Sequence, residues 1–317
     1  MYCIPYWYRF HIVLPALKKG KVSMDKTISI LDTHMHLWDF KHPEMKWVWL
    51  APDFVHPILG NIDAIKSEAF VIDDLWAEAR FSDICGFVHV QAAIGSPNPV
   101  TETVWLTEMA KRSPVPMRLI GDSPLGDKSA PAQLAQHLES PLFVGIRDFN
   151  AEVLLAKGDI DSQYEESLKI LSKNNLVFDL DCEWPNMKAA LALARRHPEL
   201  KIVLEHLGFP RKRDDEYFAN WKMGMKELAK APNVTVKISG LPMTDPHFTK
   251  ESLRKWSEAC VEIFTPARCV LGSNWPVDRL YVSYSVIIDF MRDYISSLSH
   301  LEQEAISSSN AKKLYNF

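Results

Sequence analysis

"LDTHMHLWD", residues 31–39, sets Asp32, His34 and His36 at alternate positions. Side chains alternate across an extended chain, so a strand here would carry all three on one face. An acid and two imidazoles are costly to bury without partners, and the stretch therefore demands partners elsewhere. It belongs to the run "TISILDTH", the first of eight short β-branched runs. The others are "CGFVHVQAA" (85–93), "VPMRLIGDS" (115–123), "PLFVGIRDF" (141–149), "NLVFDLDCE" (175–183), "LKIVLEH" (200–206), "NVTVKISG" (233–240) and "ARCVLGSN" (267–274).

Amphipathic segments of helical period separate the runs. Tyr164, Leu168 and Leu171 share a face, as do Met187, Ala190, Leu191 and Ala194. Phe218, Trp221, Met225 and Leu228 form another stripe, and Leu253, Trp256, Cys260 and Ile263 a fourth. These stripes read as core packing. Ser299 and Glu302 have the spacing of a capping box that opens a last helix. Parallel strands need crossover helices, and eight of them close on their own interior, so the expected fold is an α/β, single-domain (β/α)8 TIM barrel. A doubly wound open sheet is the alternative, but no GxGxxG loop follows the first run.

The chain has 317 residues, 47% hydrophobic and 24% charged, with net charge −4 and dispersed basic residues. That is ample material for one large core and speaks against a nucleic-acid surface. Five cysteines without a CxxC pair argue against a disulfide framework or a thiolate zinc site and fit a reducing, cytoplasmic setting. No stretch of 18 uncharged apolar residues exists, so no membrane span is expected. Residues 1–27, aromatic and then basic, read as a peripheral extension with Met24 an alternative start; the barrel domain is expected over 28–317. Nothing in the sequence sets an oligomeric state.

Catalytic groups of such barrels come from the C-terminal ends of the strands. The first run ends in Asp32, His34 and His36, and the second in His89 and Gln91. The fourth ends in Arg147, the fifth in Asp179, Asp181 and Glu183, and the sixth in Glu205 and His206. Lys237 and Ser239 close the seventh, and Asn274 the eighth. So many convergent polar groups point to a small-molecule site rather than to packing. The remaining histidines (His11, His42, His56, His137, His197, His247, His300) fall in loops, helices or the extension and read as surface residues. Arg147 offers a fork for a substrate carboxylate. Lys237 either stabilises an oxyanion or pairs with a strand-end acid such as Asp179 or Asp181. Trp38, Trp47, Trp49, Trp184 and Trp275 follow strand ends and suit the walls of a pocket for a ring-shaped substrate.

From about Ile30 to Phe317 the sequence resembles the amidohydrolase-related group of the amidohydrolase superfamily, TIM-barrel hydrolases that include lactonases. The resemblance rests on "DTHMHLWD", "VHVQAA", "VGIRDF", "EHLGFP", "VKISGL", "GSNWPVDRLYVSY" and "SSSNAKKLY" in order. It implies that His34, His36 and His206 meet at the barrel mouth, where they could hold one divalent metal such as zinc. It also allows metal-independent catalysis, with the histidines and cationic residues polarising a lactone carbonyl. Most of the superfamily ends the eighth strand in an Asp base, where this chain has Asn274, which cannot accept a proton at neutral pH. The resemblance therefore implies a hydrolase opening a lactone or related cyclic ester of a small sugar-acid or aromatic-acid type. Asp179, Asp181, Asn274 and Lys237 are its catalytic candidates, and Arg147, His89, Gln91, Trp38 and Trp275 its substrate-binding ones. Asp278 is a further candidate base ranked behind the fifth-run acids, and Asp32 is expected to orient a histidine ring. A metal-dependent decarboxylase of aromatic acids and a non-catalytic binder that lost its base are the competing readings.

Overall fold

The computed structural model describes residues 28–317; the expected extension, 1–27, lies outside the described residues. Eight parallel strands form one sheet in sequential order: β1 (Ile30–Met35), β2 (Ile84–Val90), β3 (Met117–Asp122), β4 (Phe143–Arg147), β5 (Val177–Leu180), β6 (Lys201–Leu204), β7 (Val234–Ile238) and β8 (Cys269–Leu271). The ring is completed past the end of β8. There the Asn274 N–H donates to the His34 carbonyl (2.7 Å) and the His36 N–H to the Trp275 carbonyl (2.7 Å). Gly272 permits this approach, because a Cβ there would stand 2.6 Å from the Cβ of His34. Sequential order is what short connections through helices produce.

Helices cover the outside: α1 (Ile72–Ala79), α2 (Val100–Met109), α3 (Ala130–His137), α4 (Ala151–Lys157), α5 (Ser162–Lys173), α6 (Met187–Arg196), α7 (Asp215–Leu228), α8 (Lys250–Phe264) and α9 (Tyr284–Ile295). The four stripes read from the sequence are their inner faces, with Leu168, Met187, Trp221 and Trp256 all buried. Ser299 and Glu302 form the expected capping box at the start of His300–Glu304.

A second apolar cluster fills the barrel itself. Leu31, Val88, Ile120, Val144, Val177, Val203 and Val270 come from different strands and pack on Tyr315 near the C-terminus. This aliphatic layer seals the floor, so the polar residues above it on the same strands can face only one another or the mouth. The long connection after β1 adds a short ribbon, Trp38–Asp39 against Ala69–Phe70, which the sequence runs did not reveal.

Candidate active site

The pairing of β1 with β2 shifts register between Asp32 and Met35. The shift breaks the expected alternation: His34 and His36 turn to the mouth, while Asp32 does not share their face or orient a ring. Its carboxylate instead accepts from the Ser273 N–H (2.8 Å) and hydroxyl (2.6 Å), from the Tyr284 hydroxyl (3.0 Å) on α9, and from the His34 backbone N–H (3.2 Å). Asp32 ties the β1–β8 seam.

His34 neighbours both of the other rings that the resemblance placed at the mouth. His34 lies 4.8 Å from His36 and 4.4 Å from His206, centroid to centroid. Residues 206–209 take consecutive left-handed conformations (His206 φ 48°, Leu207 φ 55°), which swing Glu205 and His206 inward although they are sequence neighbours. Non-glycine residues hold such angles only where the surroundings enforce them. Trp221 does so by donating to the Leu207 carbonyl (2.7 Å).

Glu205 is the residue whose role the sequence did not disclose. It accepts from Arg147 (3.0 Å), lies 3.5 Å from the Lys237 ammonium and sits 3.3 Å from His34 Nδ1. Burial alone would raise its pKa, but Arg147 and Lys237 outweigh that and hold its carboxyl well below the usual range. Its only signal was position: an acid immediately before the sixth-run histidine.

The Nδ1 atoms of His36 and His206 are hydrogen-bonded, whereas that of His34 makes only an ion-pair approach. His36 Nδ1 donates to the Val90 carbonyl (2.7 Å), His34 Nδ1 faces Glu205, and His206 Nδ1 meets the Ser239 hydroxyl (2.9 Å). Such partners fix tautomers and leave Nε2 bare. The Nε2 atoms of His34 and His36 stand only 3.1 Å apart. Two lone pairs at that separation repel unless a proton or cation joins them, whereas ligands about 2.0–2.1 Å from a tetrahedral Zn²⁺ are roughly 3.3 Å apart. Burial, with the nearby cations, lowers the imidazole pKa values, that of His206 to about 4, so all three are neutral at pH 7 as ligation requires. Potential ligand atoms of His34, Glu205 and His206 also lie within 4.8 Å of one another. The set whose donor atoms converge and fit a divalent metal is thus His34, Glu205 and His206, with His36 adjoining it at His34 Nε2. Glu205 is already neutralised by two cations, which favours the imidazoles as the donors.

Of the proposed catalytic acids, only Asp181 reaches the cavity, whose volume is about 450 Å³ and whose polar floor is His36, Gln91, Arg147, Asp181, His206 and Asn274. Asp181 has no hydrogen-bond or ion-pair partner among the described residues. Burial pushes its carboxyl up to about 7, reinforced by the charges of Glu205 and Glu152 and opposed by Arg147 and Arg211. Asp179, one layer deeper, is fully buried against Lys237 (2.6 Å). The pair corrects the expectation that Asp179 is a catalytic acid at the mouth, and of the two readings of Lys237 the structure shows the pairing with a strand-end acid; Lys237 does not line the cavity. Lys237 is consumed by Asp179 and Glu205, the bridging cation of a buried acid pair.

Arg147 donates to Glu205 and to the Gln91 carbonyl (2.6 Å), and its guanidinium lies over the Phe149 ring (4.4 Å). The Gln91 side-chain amide lines the cavity with neither polar atom partnered among the described residues, a group awaiting a ligand. Asn274 (φ 56°) donates its amide to Asp278 (3.0 Å) and faces the cavity. Asp278 itself is buried behind Asn274, its pKa well raised by burial, and does not reach the cavity. His89 is buried beside His36 (6.2 Å) without lining the cavity. Trp38 and Trp275 are likewise not walls: both are buried against Phe70 at 5.0 and 5.3 Å, and Trp38 donates to the Ser67 carbonyl. The aromatic walls are Trp49, Phe54, Phe149 and Phe209. Three histidines expected at the surface are placed otherwise. His56 lines the cavity, His137 is buried against Thr103, and His197 pairs with Glu165.

The site is thus a strand-end cluster of imidazoles, a buried Glu and an unpaired Asp at the mouth of an eight-stranded barrel. The chain belongs to the amidohydrolase family, whose model matches residues 31–317. An uncharacterised protein of Sinorhizobium fredii is 31% identical over 296 residues, covering 91% of this chain and 98% of that protein. An L-fucono-1,5-lactonase of Burkholderia ambifaria is 28% identical, over 79% of this chain and 81% of its own. A Burkholderia multivorans amidohydrolase crystallised with bound zinc superposes with TM-score 0.77 at 22% identity, covering 91% of this chain and 99% of that chain. Among the described residues no helix is long and apolar enough to cross a membrane.

Proposed function

We propose that the protein is a lactonase that opens the cyclic ester of a small hydroxy acid with water. The observation that carries the reading is Asp181: an unpaired carboxylate facing the cavity, poised at about 7, beside the His34–His36–His206 cluster. A general base is most effective with its pKa near the working pH. Asp181 takes a proton as the water oxygen bonds to the lactone carbonyl carbon, and returns it to the ring oxygen as the acyl C–O bond breaks. The product is the open hydroxy acid. Arg147 and the Gln91 amide supply donors along the carbonyl edge, where negative charge develops. Asn274, its amide nitrogen held by Asp278, presents its oxygen to the water or to a substrate hydroxyl. His34, His36 and His206 would hold a divalent metal such as zinc, which would supply positive charge to polarise the carbonyl.

The B. ambifaria relative supports lactone chemistry, and the poised acid speaks against a binder that has lost its base. The test is a panel of five- and six-membered lactones and aromatic carboxylic acids, followed by product analysis with and without added zinc. The reading expects hydroxy acid from lactones and no CO₂ from the acids. Release of CO₂, or no opening of any lactone in either condition, overturns it.

A further inference from the structure

The wall facing the polar floor is chemically unlike it. Trp49, Phe54, Ile58, Leu59, Phe149 and Phe209 line it. Even the Trp49 indole N–H is spent, donating to the Ala92 carbonyl (2.8 Å), so that ring offers carbon alone. His56 is the exception. Its backbone pairs with Gly60 in both directions (3.2 and 2.9 Å), closing a tight loop, and Gly60 supplies the left-handed turn (φ 69°). Inside that loop His56 Nδ1 accepts from the N–H groups of Ile58 and Leu59, both at 3.2 Å. A nitrogen accepting two backbone N–H bonds carries no proton, so the ring's hydrogen resides on Nε2. The ring is half-buried, lines the cavity, and Nε2 has no partner among the described residues.

We infer that this cavity accepts a ring ligand carrying an apolar body, aryl or branched alkyl, that ends in a single hydrogen-bond acceptor met by the His56 Nε2–H. The inference deepens the lactonase reading and rests on it for the identity of the ring, while the wall chemistry stands apart from turnover. A volume of about 450 Å³ lies in the range of pockets for drug-sized ligands, more than a bare lactone ring needs. A polyhydroxylated body would press several hydroxyls against a wall offering one donor, and each buried hydroxyl left unmet weakens binding by about tenfold. An apolar body gains affinity from the same wall. His56 is thus a positioning and specificity residue, not part of the reaction.

The experiment measures binding calorimetrically to three δ-lactams, in which a ring N–H replaces the ester oxygen. One bears an aryl group with a single carbonyl, one the unsubstituted aryl group, and one several hydroxyls. The expected result is that the acceptor-bearing aryl lactam binds at least about tenfold more tightly than the polyhydroxylated one. In His56→Asn the amide oxygen replaces Nδ1 and preserves the loop's two N–H bonds, while the distal donor is lost. That variant is expected to bind the acceptor-bearing lactam about 3- to 10-fold more weakly and the plain aryl lactam unchanged. Equal or tighter binding of the polyhydroxylated lactam overturns the inference, and so does equal weakening of both aryl lactams in the variant or binding of none. The wild-type comparison needs no variant to fold. Turnover of sugar lactones with no affinity for aryl lactams leaves the lactonase reading standing and this inference fallen. Tight aryl-lactam binding with no lactone opened does the reverse.

Discussion

Replacing Asp181 by Asn should move activity and stability in opposite directions. In the folded protein its carboxyl is raised from 3.8 to about 7, chiefly by burial. An acid raised on folding holds its proton more tightly in the native state than in the unfolded chain. Its contribution is therefore favourable at low pH and is lost as pH climbs from about 4 to about 7. The full displacement corresponds to at most about 4 kcal/mol at pH 8, and water in the open cavity reduces the expected figure to about 1–3 kcal/mol. A neutral Asn of the same shape avoids that penalty. It also cannot accept the proton, which should lower kcat by about 10²- to 10⁴-fold. Urea unfolding of chelator-treated wild type and variant at pH 8 and pH 4 reads the first effect, and lactone turnover reads the second. The variant should be the more stable protein at pH 8, with the difference vanishing by pH 4. A variant less stable at pH 8, or one whose kcat stays within tenfold of wild type, would refute the assignment of an unpaired basic carboxylate.

Lys237→Met leaves Asp179 and Glu205 short of a buried cation and should cost about 3–5 kcal/mol in urea unfolding, most of it recovered by adding Asp179→Leu. Glu205→Gln removes the carboxylate facing His34 Nδ1, so zinc affinity, titrated against a chromophoric chelator, should fall about 10- to 100-fold. Unchanged affinity would place the metal elsewhere. Asn274→Asp sets a carboxylate against Asp278, where the Asn amide donates at 3.0 Å in wild type. The two buried acids would share a proton, raising the pKa of one, so stability should decline with rising pH more steeply than in wild type.

The barrel was legible because short β-branched runs recur along the chain and four of the intervening segments keep an apolar stripe, two patterns of different period in alternation. The convergence of His34, His36 and His206 was readable for the same reason, since strand ends of a closed barrel face one mouth. Depth was not readable. Asp179 and Asp181 share a face by alternation, yet one strand layer separates an ion-paired structural acid from an open one, and only the cross-barrel position of Lys237 decides which is which. Asp32 was misplaced because a register shift in β1 leaves no mark on spacing. Trp38 and Trp275 escape the sequence reading because an aromatic after a strand end looks the same whether it faces a cavity or Phe70. The 48–59 loop gave no periodic signal, and its His56 became interpretable only with the backbone donors around Nδ1 in place.

The central claim, that Asp181 is the base for opening a lactone, is tested most directly by the pH dependence of kcat/KM between pH 5 and 8.5. The claim predicts a tenfold rise per pH unit at the acid end, a single midpoint near 7 and a plateau above it. It also predicts that Glu152→Gln, which deletes one of the charges raising Asp181, moves the midpoint downward. A profile that is flat across the range, or a midpoint that survives unchanged in Asp181→Asn, would contradict it.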